Sequence, residues 1–356
     1  MKIRQFDIFK YKLPLQRFSG KYREGFLIKL TDEKGNLGFG EIAPLPNRSQ
    51  ESMRSAQIQL TRLRQNLIGK NIPLGVEKLN GKFTRWFSRY KLAPSVRFGL
   101  ETAILTLLAD QRQISLSKLI TDLPKRKIQI NALLDGGPSE IPHQKTEVKQ
   151  RGFRYAKLKI GHKSVTADAQ KVKEIIKTFG NKIQIRLDVN QRWNLKQALD
   201  FVKKIPRRNI EYIEEPFKQK YLISTFFDVT KIPVAVDETL FFLKPPGIEK
   251  IKGVKAIILK PSVLGGIEKT MEWVKWAQKN KVKPVISSSF ETEVGIYALG
   301  HLAACVKDNV AAGLDTLKYF RQSLLKTKVG IENGSLNVAD LKINSRNFNS
   351  ALLKKV

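Results

Sequence analysis

Three carboxylates stand at the ends of apolar runs at nearly constant spacing: Asp188 in IQIRLDVN, Glu214 in IEYIEEP and Asp237 in IPVAVDE, 26 and 23 residues apart. Lys157 and Lys159 alternate in RYAKLKIG ahead of them, and Lys260 closes KAIILKP behind them. An ion in such a run costs on the order of several kcal/mol unless a partner compensates it. Three acids converging on one point would compensate a divalent cation. Oxygen donors without a nearby Cys or His favour Mg²⁺ or Mn²⁺ over zinc. Residues two apart in a strand face the same way, so Lys157 and Lys159 share one compartment. Positive neighbours lower a lysine pKa and make it a base near neutral pH. The set suits removal of a proton next to a carboxylate, with the cation stabilising the enediolate and a lysine taking the proton.

Convergence requires a fold that brings successive strand ends to one place. From residue 128 the chain alternates short β-rich runs with helical patterns, eight runs from QINALLD (129–135) to AAGLDT (311–316). This alternation predicts an α/β fold with a (β/α)₈-type barrel, whose active site lies at the C-terminal strand ends. There the second and sixth strands, carrying Lys157, Lys159 and Lys260, face each other across the ring. Ser164 or Thr166, and then Asn194, are candidate caps for the following helices. Little chain remains for a last unit, so the barrel is expected to be truncated and closed by the C-terminal tail. Ahead of it come a strand, a hairpin with turn chemistry at Glu33 to Asn36, and three helical stretches, 49–68, 74–90 and 94–110. The expected organisation is an α+β capping domain at 1–122, a catalytic barrel at 123–320 and a segment at 321–356 that returns to the cap.

The composition is that of a folded protein, with 42% hydrophobic and 27% charged residues in a chain of 356. The outlier is charge: 65 Lys and Arg against 32 Asp and Glu, a net +33. The cations are spread from Lys2 to Lys355 and form no arm or stripe, which argues for a solvated surface and against a specific nucleic-acid partner. No apolar run reaches the ~18 residues of a membrane span. The opening MKIRQFDIFKYKLPL has no apolar block of the secretory kind. The single cysteine, Cys305, excludes an internal disulfide and fits a reducing, cytoplasmic setting. His143, His162, His301 and Cys305 join no ligand-spaced cluster, and Trp193 reads as packing.

The ordered set KLK (157–159), RLDVN (186–190), IEEP (213–216), VDE (236–238) and ILKP (258–261) resembles the enolase superfamily, in its muconate-lactonizing subgroup. GFGEIAPLPNRSQE (38–51), PSVRFGLETA (94–103), ISSSFETEVG (286–295) and GLDTL (313–317) extend the likeness to the o-succinylbenzoate synthase family. The resemblance implies Asp188, Glu214 and Asp237 as Mg²⁺ ligands and Asn190 as a site residue near them. It implies Lys159 as the base, Lys157 as support for the metal-bound carboxylate, and Lys260 as electrostatic stabiliser on the opposite face. By period two, Glu215 and Glu238 should point away. The implied reaction is syn dehydration of 2-succinyl-6-hydroxy-2,4-cyclohexadiene-1-carboxylate to 2-succinylbenzoate, a step of menaquinone biosynthesis.

The dicarboxylate substrate needs a second anion site. Gly265 and Gly266 open the helix after the sixth strand, where backbone N–H groups favour a carboxylate. Ser288 and Ser289 add donors from the seventh. Arg186 matches a basic position of the family but, alternating with Asp188, is expected toward the barrel interior. The Phe18–Gly25 loop resembles a substrate cover. The alternative reading is N-succinylamino acid racemization, which uses the same triad and both opposed lysines. Dipeptide epimerization commonly carries an Asp-x-Asp pair at the eighth strand, and GLDTLKYF (313–320) has one Asp. A monomer or homodimer is expected.

Overall fold

The structure, a computed structural model, describes residues 1–16, 21–134, 141–243 and 245–356, without the side chains of 141–143 and 245–246. Positions 18–20 of the Phe18–Gly25 loop, Asp135 and the His143 side chain therefore lie outside the described residues. The N-terminal sheet comprises β1 (Ile3–Pro14), β2 (Tyr22–Asp32) and β3 (Leu37–Ile42), all antiparallel. The β2–β3 turn forms as its residues dictate: Asp32 Oδ1 accepts from the Lys34 and Asn36 amides, and Gly35 supplies φ +85°. The Pro94–Gln111 helix lies on this sheet so closely that a Cβ on Gly40 would stand 1.9 Å from the Gly99 carbonyl oxygen. Of the three helical stretches, 49–68 becomes Met53–Leu67 behind a Ser52/Ser55 capping box. The second breaks into short turns, because Gly75 and Gly81 adopt positive φ that a helix cannot continue.

Two short pairings tie the chain together: β4 (Lys127–Gln129) with β12 (Ser335–Asn337), and β13 (Lys354–Lys355) with β1. The C-terminal segment thus completes the N-terminal sheet, as expected. Between them β5 (Asn131–Leu134), β6 (Tyr155–Lys159), β7 (Gln184–Asp188), β8 (Ile210–Glu214), β9 (Val234–Val236), β10 (Val254–Leu259) and β11 (Lys283–Ile286) form one parallel sheet in sequence order. Helices cover it, capped by Asn194 as expected and, of the two candidates Ser164 and Thr166, by Ser164. The eighth unit is more reduced than the alternation suggests. Residues 311–316 form single bridges, Ala312 to Ile130 and Gly313 to Ser287, that close the ring without a ladder. Gly and Asp in AAGLDT are poor strand formers, which accounts for the lost ladder. No helix among the described residues is long and apolar enough to cross a membrane.

Candidate active site

Parallel register sets the site. Lys159 pairs with Asp188, Asp188 with Glu214, and Glu214 with Ala235, two residues before Asp237. One row across four strands therefore delivers the second lysine and the acids to the same end of the barrel. Lys157 reaches up from one step lower, its ammonium 3.0 Å from Asp188 Oδ2 and 2.8 Å from Glu214 Oε1. Burial opposes its charge, and Asp188, Glu214 and Asp237 overcome that penalty, holding its pKa well above the usual lysine value. Glu214 is itself pushed up to about 8, by burial first and by the charge of Asp188 next. From across the ring, the Lys260 ammonium donates to Asp237 Oδ2.

Lys157, Asp188, Asp237 and Lys260 line a cavity of about 130 Å³ with Lys159 and Asn190, close to the roughly 150 Å³ that admits benzene. Its other walls are Leu45 and Arg48 from the N-terminal sheet side, Asn131 and Leu133 of β5, and Ser287–Ser289, Asp315 and Thr316. The cavity thus brings together Lys157, Lys159, Asp188, Asn190, Asp237, Lys260, Ser288 and Ser289. Glu214 lies beneath, fully buried. Leu45, Arg48, Asn131, Asp315 and Thr316 were not singled out from the sequence as site residues. The signal was present, since Leu45 and Arg48 fall in GFGEIAPLPNRSQE and Asn131 starts the first barrel strand.

Glu215 points away as alternation predicts, accepting from the Asp237 and Thr239 amides at 2.7 Å each. Glu238 does not: it lines the cavity and pairs with Arg48 at 2.5 Å. The chain leaves extended geometry at Asp237 (φ −124°, ψ −80°) and enters a 3₁₀ turn, so period two ends one residue too early. Arg186 stays in the barrel interior beneath the cavity. It pairs with Glu211 at 2.7 Å, donates to Asn131 Oδ1 and the Ala311 carbonyl, and lies 5.2 Å from the rings of both Tyr155 and Tyr212.

Gly265 and Gly266 do not line the cavity. Gly266 precedes the Ile267–Lys279 helix at φ +107°, and the Glu101 carboxylate occupies that helix start, accepting from the Glu268 amide at 2.8 Å. A side chain of the N-terminal half already serves as the anion there. Burial, partly relieved by Arg97, pushes Glu101 up to about 7.

Two further arrangements shape the walls. The buried Arg23 guanidinium donates to the Ala43 and Pro44 carbonyls after β3 and to the Ser289 and Phe290 carbonyls after β11. Asp315 is buried with both oxygens engaged: Lys318 at 2.7 Å, Arg151 at 3.2 Å and the Leu133 amide at 3.1 Å.

As the side chains stand, no group of three or more His, Cys, Asp or Glu among the described residues forms a ready metal shell. Two ammonium groups stand between the carboxylates. The donor set nonetheless fits a hard divalent cation: three carboxylates on consecutive strands, with Glu214 Oε2 buried and without a hydrogen-bond partner.

Residues 141–342 match the family described as Enolase C-terminal domain-like, and residues 3–107 match the MenC N-terminal domain. The chain is 30% identical to an o-succinylbenzoate synthase of Pasteurella multocida, over 88% of this chain and 90% of the relative. It is also 30% identical to the chloroplastic protein PHYLLO of Arabidopsis thaliana, covering 92% of this chain and 22% of that longer one. Among solved structures, MenC of Desulfotalea psychrophila superposes with a TM-score of 0.80 at 21% identity, covering 95% of this chain and all of that one. A dipeptide epimerase of Enterococcus faecalis, complexed with Mg and a dipeptide, superposes with 0.84 at 22% identity, over 99% of this chain and 100% of that one. At those identities the likeness is one of fold.

Proposed function

The chain belongs to the enolase superfamily, in its o-succinylbenzoate synthase family, and from that premise we propose that it dehydrates 2-succinyl-6-hydroxy-2,4-cyclohexadiene-1-carboxylate to 2-succinylbenzoate for menaquinone synthesis in the cytoplasm. The observation that carries this reading is the state of Asp315. A dipeptide substrate brings an ammonium that needs a free carboxylate at the eighth strand. The one Asp of that segment already holds Lys318 and Arg151. An amine arriving there would meet two cations and no vacant acceptor. An anionic substrate meets Arg48, Lys159 and Lys260 on the cavity walls.

Asp188, Glu214 and Asp237 would hold Mg²⁺ or Mn²⁺. When bound, the cation supplies positive charge beside a carboxylate whose α-proton is leaving. Lys159 takes that proton as general base, and the same ammonium then protonates the departing hydroxide, one residue sufficing because the elimination is syn. Lys157 supports the substrate carboxylate from below. Lys260, on the opposite wall, adds fixed positive charge and moves no proton. Arg186 holds Asn131 in the wall through its 2.9 Å hydrogen bond. The placement of lysines on opposed walls also suits N-succinylamino acid racemization, in which both move protons.

The deciding assay incubates the purified chain and Mg²⁺ with the cyclohexadiene substrate and follows the aromatic product by ultraviolet absorbance. N-succinylamino acids and dipeptides are run beside it. Aromatisation is expected. Racemization of N-succinylamino acids with no aromatic product would replace this reading, and dipeptide epimerization would remove the argument from Asp315.

A further inference from the structure

The net charge of +33 is left unexplained by a site built around three carboxylates. Scattered along the sequence, the cations are gathered by the topology. In a parallel barrel every turn from a helix into the next strand lies at one end, opposite the active site. The turn into β8 reads KKIPRR (203–208), and its four cations are all exposed. The turn into β10 reads KIKGVK (250–255) and the turn into β11 KNKVK (279–283), again with every lysine exposed. The segment leading into β4 and β5 contains KRK (125–127). None of these four stretches contains an acid. Lysines in the last turn of a helix complement its dipole, which accounts for Lys203, Lys204 and Lys279. Arg207, Arg208, Lys255 and Lys281 lie beyond the helices, where that explanation stops.

Few of these charges are neutralised within the chain. Among them, Lys252 pairs with Asp228 at 2.5 Å and Lys283 with Glu211 at 2.8 Å. The others have no carboxylate partner among the described residues. Of the exposed large aliphatic side chains, Leu123 (90%) and Val229 (64%) sit at this same end, while Ile58, Ile68, Leu74 and Ile114 belong to the N-terminal half. Of the exposed aromatic side chains, Tyr221, Phe241 and Phe242 lie at the other end, after β8 and β9, and Tyr22 starts β2 of the N-terminal sheet.

We propose that the strand-start end of the barrel is a docking surface for an anionic lipid bilayer. The turns are disposed around a ring, so their cations meet a plane together. A nucleic-acid duplex is a rod and would meet only a strip of them. Single strands are held by exposed aromatic rings stacking on bases, and none of the exposed rings named above belongs to these turns. Lysine predominates over arginine in these turns, and point charges suffice for a diffuse layer of lipid phosphates. Docked this way, the catalytic cavity faces the aqueous phase, away from the lipid.

The test is sedimentation of the full chain with vesicles of phosphatidylcholine containing about a third phosphatidylglycerol, against pure phosphatidylcholine. Binding to the anionic vesicles alone is expected, falling steeply between about 0.1 and about 0.5 M salt. The variant K203A/K204A/R207A/R208A should lose at least ~100-fold in vesicle partition, at roughly fivefold per cation. A second variant, K255A/K279A/K281A, should lose partition in the same sense and stands in if the first unfolds. The matched control R54A/R62A/R85A/K91A removes four cations from the N-terminal half and should change partition by less than about threefold. Equal losses in test and control variants, no vesicle binding, or tighter binding to a DNA duplex than to vesicles would each overturn the proposal. None of these readouts depends on the reaction catalysed.

Discussion

Arg186 offers the sharpest test of how the barrel interior supports the site. Replacement by Met keeps the length and most of the volume while removing the guanidinium. The pair with Glu211 at 2.7 Å is lost, together with hydrogen bonds to Asn131 Oδ1 at 2.9 Å and the Ala311 carbonyl at 2.8 Å. Breaking a buried ion pair from one side costs about 3–5 kcal/mol, because the remaining charge stays buried. Lys283 still neutralises Glu211 at 2.8 Å, which pulls the figure toward the lower end. The Ala311 carbonyl is the compensating loss, an acceptor left without a donor at about 1–3 kcal/mol. At roughly 2 °C per kcal/mol for a chain of this size, the melting temperature should fall by about 6–10 °C. Calorimetry reads that drop, and steady-state kinetics well below the melt read the site. KM per folded molecule should rise by no more than about tenfold, because the guanidinium does not line the cavity and acts on it only by holding Asn131. Arg186→Met with the native melting temperature and a strongly raised KM would show that this residue touches substrate, and the interior assignment would fall.

Three further outcomes are expected. Lys159→Ala should abolish aromatisation yet leave calorimetric Mg²⁺ binding in place; measurable turnover would remove it as the base. Asp237→Asn should raise the Mg²⁺ concentration needed for half-maximal activity about tenfold or more, and an unchanged titration would remove it from the ligand set. Stability should depend on the neutral form of His301, which is buried against Tyr297 with Nδ1 3.1 Å from Ser117 Oγ. Burial lowers its pKa from 6.5 to about 4, so the unfolded chain binds the proton first. Stability is then complete above pH 6.5 and is lost as the pH falls toward about 4, by about 3 kcal/mol in all. Denaturant titrations across that window should show the slope, and its persistence in His301→Gln would assign it elsewhere.

What the sequence made legible is what strand periodicity and chain order carry. Lys157, Lys159, Asp188, Asn190, Asp237 and Lys260 reach one cavity because register and alternation are local rules, readable from single runs. The misreadings have two origins, a local break in strand geometry and contacts made across layers. Glu238 faces the cavity because a 3₁₀ turn interrupts the alternation, and nothing in VDET marks where extended geometry ends. The helix start at Gly266 has the general character of an anion site, but its anion is Glu101, 165 positions away in a different layer. Asp315 carried a recognisable motif, and Lys318 holds it from three positions on, but its other cation, Arg151, comes from a distant turn. Contacts across layers leave no period behind, and several cavity walls are made of them.

The carbonyl clamp of Arg23 has a consequence for how such a protein can change. One guanidinium fastens the stretch after β3, which leads into Leu45 and Arg48, to the stretch after β11, which carries Ser287–Ser289. The two halves of the fold look like modules that recombination could exchange, each bringing its own share of substrate preference. With both walls hung from one side chain, they are not independent inheritances. A graft of the N-terminal sheet from a relative would import a cavity wall cut to another barrel's loop, and the chimera would have to re-solve both surfaces together. Substrate preference in this architecture should therefore drift by small paired changes and resist wholesale exchange.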